Sequence, residues 1–159
     1  MVQNHPKFGG VSSMNEQQGI AEANGTELYY KIAGSGHPLV LIHGFALDTC
    51  MRDDQIGAFA QHYQVVRYDM RGSGRSVPPT DESYSQTDDL KALLEYLRID
   101  RAHVIGQSRV GAVAIDFALA LPEATSALVL VDPVLGGIRG RKRPPAPTGQ
   151  FGRRPRNLA

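Results

Sequence analysis

Ser108 stands between an apolar run and a helix-forming run in the stretch His103-Val-Ile-Gly-Gln-Ser-Arg-Val-Gly-Ala-Val-Ala114. A serine at such a turn can be a nucleophile, line a phosphate loop or cap the helix that follows. As a nucleophile it would project its hydroxyl above the strand end, where the helix N-terminus beneath favours developing negative charge. Acyl transfer there would need donors for an oxyanion and a base for the serine proton. Two other stretches put turn residues at the ends of apolar runs: His43-Gly-Phe45 and Asp69-Met-Arg-Gly-Ser-Gly-Arg-Ser76. Asp132 closes the last apolar run and offers a carboxylate, although Asp132-Pro133 also reads as an ordinary strand-ending turn. The histidines are His5, His37, His43, His62 and His103, so none follows Ser108. His103 precedes it by five positions, which on an extended strand is roughly 16 Å.

These residues need elements to hold them. From Ile20 onward, short β-rich runs alternate with helical ones. Thr26 to Ile32 reads as one strand of a hairpin entered through Asn24-Gly25. Pro38 to His43 is a continuous apolar run, the pattern of a strand buried on both faces. A helix is expected over 48–60, then a strand from Tyr63 to Asp69. Leu90, Leu93, Leu94 and Leu97 repeat at helical spacing, with Ser85 and Asp88 placed to form a capping box. A strand from Ala102 to Ile105, a helix from Val110 to Leu121 and a strand from Ser126 to Val131 complete the pattern. Strands separated by helices imply an α/β fold, a mostly parallel sheet with helices on both faces.

Composition bounds what surrounds this core. The chain of 159 residues is one-domain sized, and 42% hydrophobic content suffices for a globular core. A single cysteine, Cys50, excludes an internal disulfide and fits a reducing, cytoplasmic compartment. Residues 1–19 are polar and broken by Pro6 and Gly9-Gly10, without the apolar stretch of a secretory signal. They read as a disordered extension, with Met14 an alternative start. No run reaches membrane-spanning length. Residues 1–138 carry ten Lys+Arg against sixteen Asp+Glu, whereas 139–159 carry seven basic residues and no acid. That basic Pro/Gly/Arg-rich tail reads as disordered and, with Phe151 its one aromatic, not as a specific nucleic-acid site.

In this order and at these strand ends, the His43-Gly-Phe45, Asp69 to Ser76 and Gly106-Gln-Ser108 stretches resemble the N-terminal part of the α/β-hydrolase family. The resemblance covers 20–138 and is nearest to its small-molecule serine esterases and enol-lactonases. It implies hydrolysis of a carboxylic ester or lactone without cofactor or metal. Ser108 would be the nucleophile, the backbone N–H groups of Phe45 and Arg109 the oxyanion donors, His43 and Gly44 the support of that loop, and Asp132 the acid. The sequence departs from the family at four places. Val110 stands where Gly is usual, Arg109 where a small or apolar residue is, and Arg52 where Trp is common. The base histidine that should follow the nucleophile is missing, so this chain by itself is expected to lack triad catalysis. The family's sheet continues beyond the sixth strand, so 20–138 reads as an incomplete domain.

Two other readings start from the same residues. Gly106-x-Ser108-x-x-Gly111 followed by Asp132 mimics a dinucleotide fingerprint, with Ser108 in place of its second glycine. Alternatively, a sheet left open at its last strand would make the chain a non-catalytic binding fragment. Oligomeric state is not legible.

Overall fold

The apolar residues of the central strands alternate between two cores, one on each face of a single sheet. Val40, Ile42, Val66, Tyr68 and Val104 face one core; Leu39, Leu41, Val65 and Ile105 face the other. A computed structural model describes residues 15–79 and 83–133. It has the strands β1 (Gln17–Ala23), β2 (Thr26–Ala33), β3 (His37–Ile42), β4 (Tyr63–Tyr68), β5 (Ala102–Gln107) and β6 (Thr125–Val131). The helices are α1 (Asp53–Phe59), α2 (Gln86–Tyr96) and α3 (Gly111–Ala120).

The strand order is β1-β2-β4-β3-β5-β6. β4, β3, β5 and β6 are parallel, while β1 and β2 form an antiparallel hairpin whose second strand pairs with β4. Asn24 and Gly25 turn the hairpin with φ of 49° and 68°, the left-handed pair that a two-residue loop needs. This is the expected α/β architecture. The helices take opposite faces: α1 contributes Ile56 to the second core, and α2 and α3 contribute Leu90, Leu93, Leu94, Ala114 and Phe117 to the first. The leucine stripe is therefore packing, as its spacing implied. Ser85 caps α2, its hydroxyl accepting from the Asp88 N–H at 3.2 Å.

Some boundaries move. β1 begins at Gln17, inside the span expected to be a disordered extension, because Gln17 to Gly19 pair with Tyr30 to Ile32 of β2. β5 runs on to Gln107 because it stays paired with β6 to that point. A 3-10 turn over Ser108–Val110 then delays α3 to Gly111. The start at Met14 and the basic tail of 139–159 lie outside the described residues. No helix among the described residues is long and apolar enough to cross a membrane.

Candidate active site

Register brings the candidate residues to one edge of the sheet. Tyr68, Ile42, Gly106 and Leu130 sit side by side on β4, β3, β5 and β6. Asp69 and His43 therefore follow neighbouring strand ends. Ser108 and Asp132 each lie one residue beyond the Gln107–Val131 pair. This is the carboxyl edge of the parallel strands, where open α/β sheets carry their sites.

Ser108 has a φ of 56°, in the left-handed region that costs a non-glycine residue energy. What holds it there is the close packing of α3 on β5. A Cβ added to Gly106 would come within 2.6 Å of the Ala114 Cβ and 3.1 Å of the Gly111 Cα. Gly106, Gly111 and Ala114 thus supply the smallness expected around the serine. Val110 does not crowd the turn: it lies in the 3-10 segment with αR geometry, 7% exposed, within the first core. Helix capping is not the serine's task, since the cap of α3 is Val110 and no side chain bonds there. Among the described residues the Ser108 hydroxyl has no hydrogen-bond partner. Asp132 follows β6 with a φ of 48°, exposed and likewise without a hydrogen bond or ion pair among the described residues.

The loop of His43, Gly44 and Phe45 is fixed from the segment that follows β4. The Met70 N–H donates to His43 Nε2 at 3.0 Å, so the ring proton is on Nδ1, which donates to the Gly44 carbonyl at 2.8 Å. Both nitrogens of this buried ring are occupied. His43 thus links the Gly44 carbonyl to the Met70 N–H. Asp69 ties two loops together: its carboxylate accepts from the Thr49 N–H at 2.7 Å and the Arg75 N–H at 2.8 Å. Gly74, at φ 50°, lets that carboxylate approach, for a Cβ there would collide with it. Arg67 takes the other side of Thr49, donating to its carbonyl at 2.8 Å. Asp69→Asn replaces one acceptor by a donor facing an N–H, and is expected to lower stability by about 1–3 kcal/mol. Urea unfolding of the two forms measures it.

Three features were not foreseen. Arg71 pairs with the fully buried Asp89 of α2, through Nε at 3.0 Å and NH2 at 2.7 Å. Arg52 donates to Gln107, the residue before Ser108, at 2.6 Å. At the opposite end of the sheet, the Ser126 hydroxyl lies 2.8 Å from His37 Nε2 and 2.9 Å from His103 Nδ1, with the two rings 4.3 Å apart. The sequence marked Arg52 as a departure, but nothing in it linked these pairs across the chain.

His103 is thus far from Ser108, as its strand position required. Its burial, then the nearby His37 and Arg101, hold its pKa below the usual 6.5. The unfolded chain therefore binds the proton more readily, so this contribution to stability is present above about pH 6.5 and is lost as pH falls. His103→Asn is expected to shrink the drop in Tm between pH 7.5 and pH 5, measured by thermal unfolding.

The arrangement matches known proteins. The alpha/beta hydrolase fold family matches residues 37–156. The soluble epoxide hydrolase of Corynebacterium sp. (strain C12) is 33% identical over 129 residues, covering 80% of this chain and 45% of that protein. A proline iminopeptidase of Xylella fastidiosa is 37% identical over 65% of this chain and 35% of its own length. The solved structure of Est816, titled an N-acyl homoserine lactone degrading enzyme, superposes with a TM-score of 0.68 at 32% identity, covering 72% of this chain and 45% of that one. The chain spans less than half the length of each.

Proposed function

The chain belongs to the alpha/beta hydrolase fold family, and on that footing we propose that Ser108 is the nucleophile of a hydrolase acting on a carboxylic ester or lactone. One observation carries the reading: a serine that caps nothing is held at φ 56° on the carboxyl edge of the sheet, at the start of the 3-10 turn that leads into α3. The relatives include proteins named for epoxide and peptide hydrolysis, so the family alone does not choose the bond. Serine chemistry narrows it. Attack on an acyl carbon gives an ester that water can cleave, whereas attack on an epoxide would leave an ether with no easy release. The lactone-degrading relative is in keeping with this choice.

The proposed roles follow the loops. The backbone N–H groups of Phe45 and Arg109 face the oxyanion, His43 and Gly44 hold the first of them in place, and Asp132 is the candidate acid. The base is the missing part. His43 has both nitrogens engaged, and His37 and His103 meet Ser126 at the far end of the sheet. No histidine follows Ser108 in the 159 residues. The proposal is therefore a nucleophile turn without a histidine after Ser108 to serve as its base. The dinucleotide alternative has less support, because Ser108 puts a side chain where a pyrophosphate would need bare backbone. The lone, exposed Cys50 suits a cytoplasmic setting.

A fluorophosphonate tests the nucleophile directly. Slow labelling is expected in the wild-type chain, with the adduct on Ser108 by mass spectrometry and none in Ser108→Ala. An adduct elsewhere, or equal labelling of both forms, would remove Ser108 from the role.

A further inference from the structure

Among the described residues three arginine side chains are largely withdrawn from solvent, and two have carboxylates. Arg67 pairs with Asp53 and Glu16, and Arg71 with Asp89. The third, Arg52, is 9% exposed and pairs with no carboxylate among the described residues. Its terminal nitrogens are held by two neutral amides, Nη1 by Gln55 Oε1 at 2.9 Å and Nη2 by Gln107 Oε1 at 2.6 Å. Its Nε is buried and makes no hydrogen bond. A buried cation without an anion is costly, and a guanidinium with a spare N–H is shaped to take a carboxylate.

Its position gives that unpaired N–H a meaning. Gln107 is the residue before Ser108, and Met51, next to Arg52, accepts from the Gly44 N–H through Sδ at 3.2 Å. The guanidinium thus joins the segment above the His43-Gly44 loop to the nucleophile turn. We propose that Arg52 binds a carboxylate brought to the Ser108 turn, so that the substrate is an ester or lactone that also carries a free carboxylate. This rests on Ser108 being the reacting group and narrows the substrate from acyl compounds in general to anionic ones. Burial pulls the Arg52 guanidinium below its usual range.

The carboxylate could instead be the chain's own. Asp81 and Glu82 are the acidic side chains outside the described residues. The test follows the arginine Nε–H resonances of the 15N-labelled chain while monomethyl succinate or neutral dimethyl succinate is added at constant ionic strength. The expected result is a saturable shift of the Arg52 Nε–H with the half-ester and none with the diester. Binding read from the Gln107 backbone amide should weaken at least about tenfold in R52Q and R52M, and D81N/E82Q should leave the ligand-free Arg52 Nε–H resonance in place. No saturable shift, an equal response to the diester, or unchanged affinity in R52Q would overturn the proposal. So would displacement of the ligand-free resonance in D81N/E82Q, which would make the counter-ion internal. Because the unsubstituted chain is titrated first, misfolding of a variant cannot decide the outcome. Binding requires no turnover, so a failure here is distinct from a failure to label Ser108.

Discussion

The chain alone is expected to hydrolyse a p-nitrophenyl ester about 10⁴-fold or more slowly than a full-length esterase relative assayed beside it. Removing the base from a serine-histidine pair leaves only binding and oxyanion stabilisation, and losses of about this size follow. The parts that remain are rigidly held. Ser108 is fixed by the packing of α3 on β5, and the His43-Gly44 loop by Met70. The missing part is specific: among the described residues no imidazole is placed to take the Ser108 proton. Steady-state assays at matched concentrations measure the deficit. A rate within about tenfold of the full-length relative would show that a base already serves Ser108 and would contradict the account.

Asp89→Ala is expected to destabilise the fold by about 3–5 kcal/mol, the usual result of leaving one member of a buried ion pair alone. Asp89 is fully buried on α2 and accepts from Arg71 and from Asn24 Nδ2 at 2.7 Å. It therefore ties α2 to the β1-β2 turn and to the loop after β4. Arg71, 9% exposed in its side chain, would be left as an uncompensated cation. Restoring charge neutrality with Asp89→Leu/Arg71→Met should recover much of the loss. Chemical denaturation of the single and double variants measures it; a single-variant loss under about 1 kcal/mol would mean that the pair is effectively solvated.

The elements were legible where local pattern decides them. The apolar runs of β3 and β4 and the leucine spacing of α2 each commit to one structure without help from distant residues. The serine turn was legible too, because an apolar run, Gly106 and Gly111 bracket Ser108 within a few positions. Boundaries were less so. Gly106-Gln107 reads locally as a turn, yet pairing with Leu130 and Val131 keeps both in β5. Val110 was legible only as a departure from the family's glycine: the one-residue shift of the close contact to Gly111 depends on a 3-10 segment that periodicity does not reveal. The buried charge network was illegible altogether. Arg71 and Asp89 are 18 residues apart, and Arg52 and Gln107 are 55 apart, so no window of sequence contains either pair. Asp89 in the first turn of a helix ordinarily signals solvent and a favourable helix dipole; here the fold brings Arg71 to it.

The most direct test is rescue of hydrolysis by an added base. Rates of p-nitrophenyl acetate cleavage would be measured for the wild-type chain and Ser108→Ala across a range of imidazole concentrations, subtracting protein-free controls. A nucleophile lacking only its base should give a wild-type rate that rises with imidazole above that of Ser108→Ala, and near-equal rates without it. Identical imidazole dependence in the two proteins would contradict the account and leave Ser108 as a residue of a binding fold.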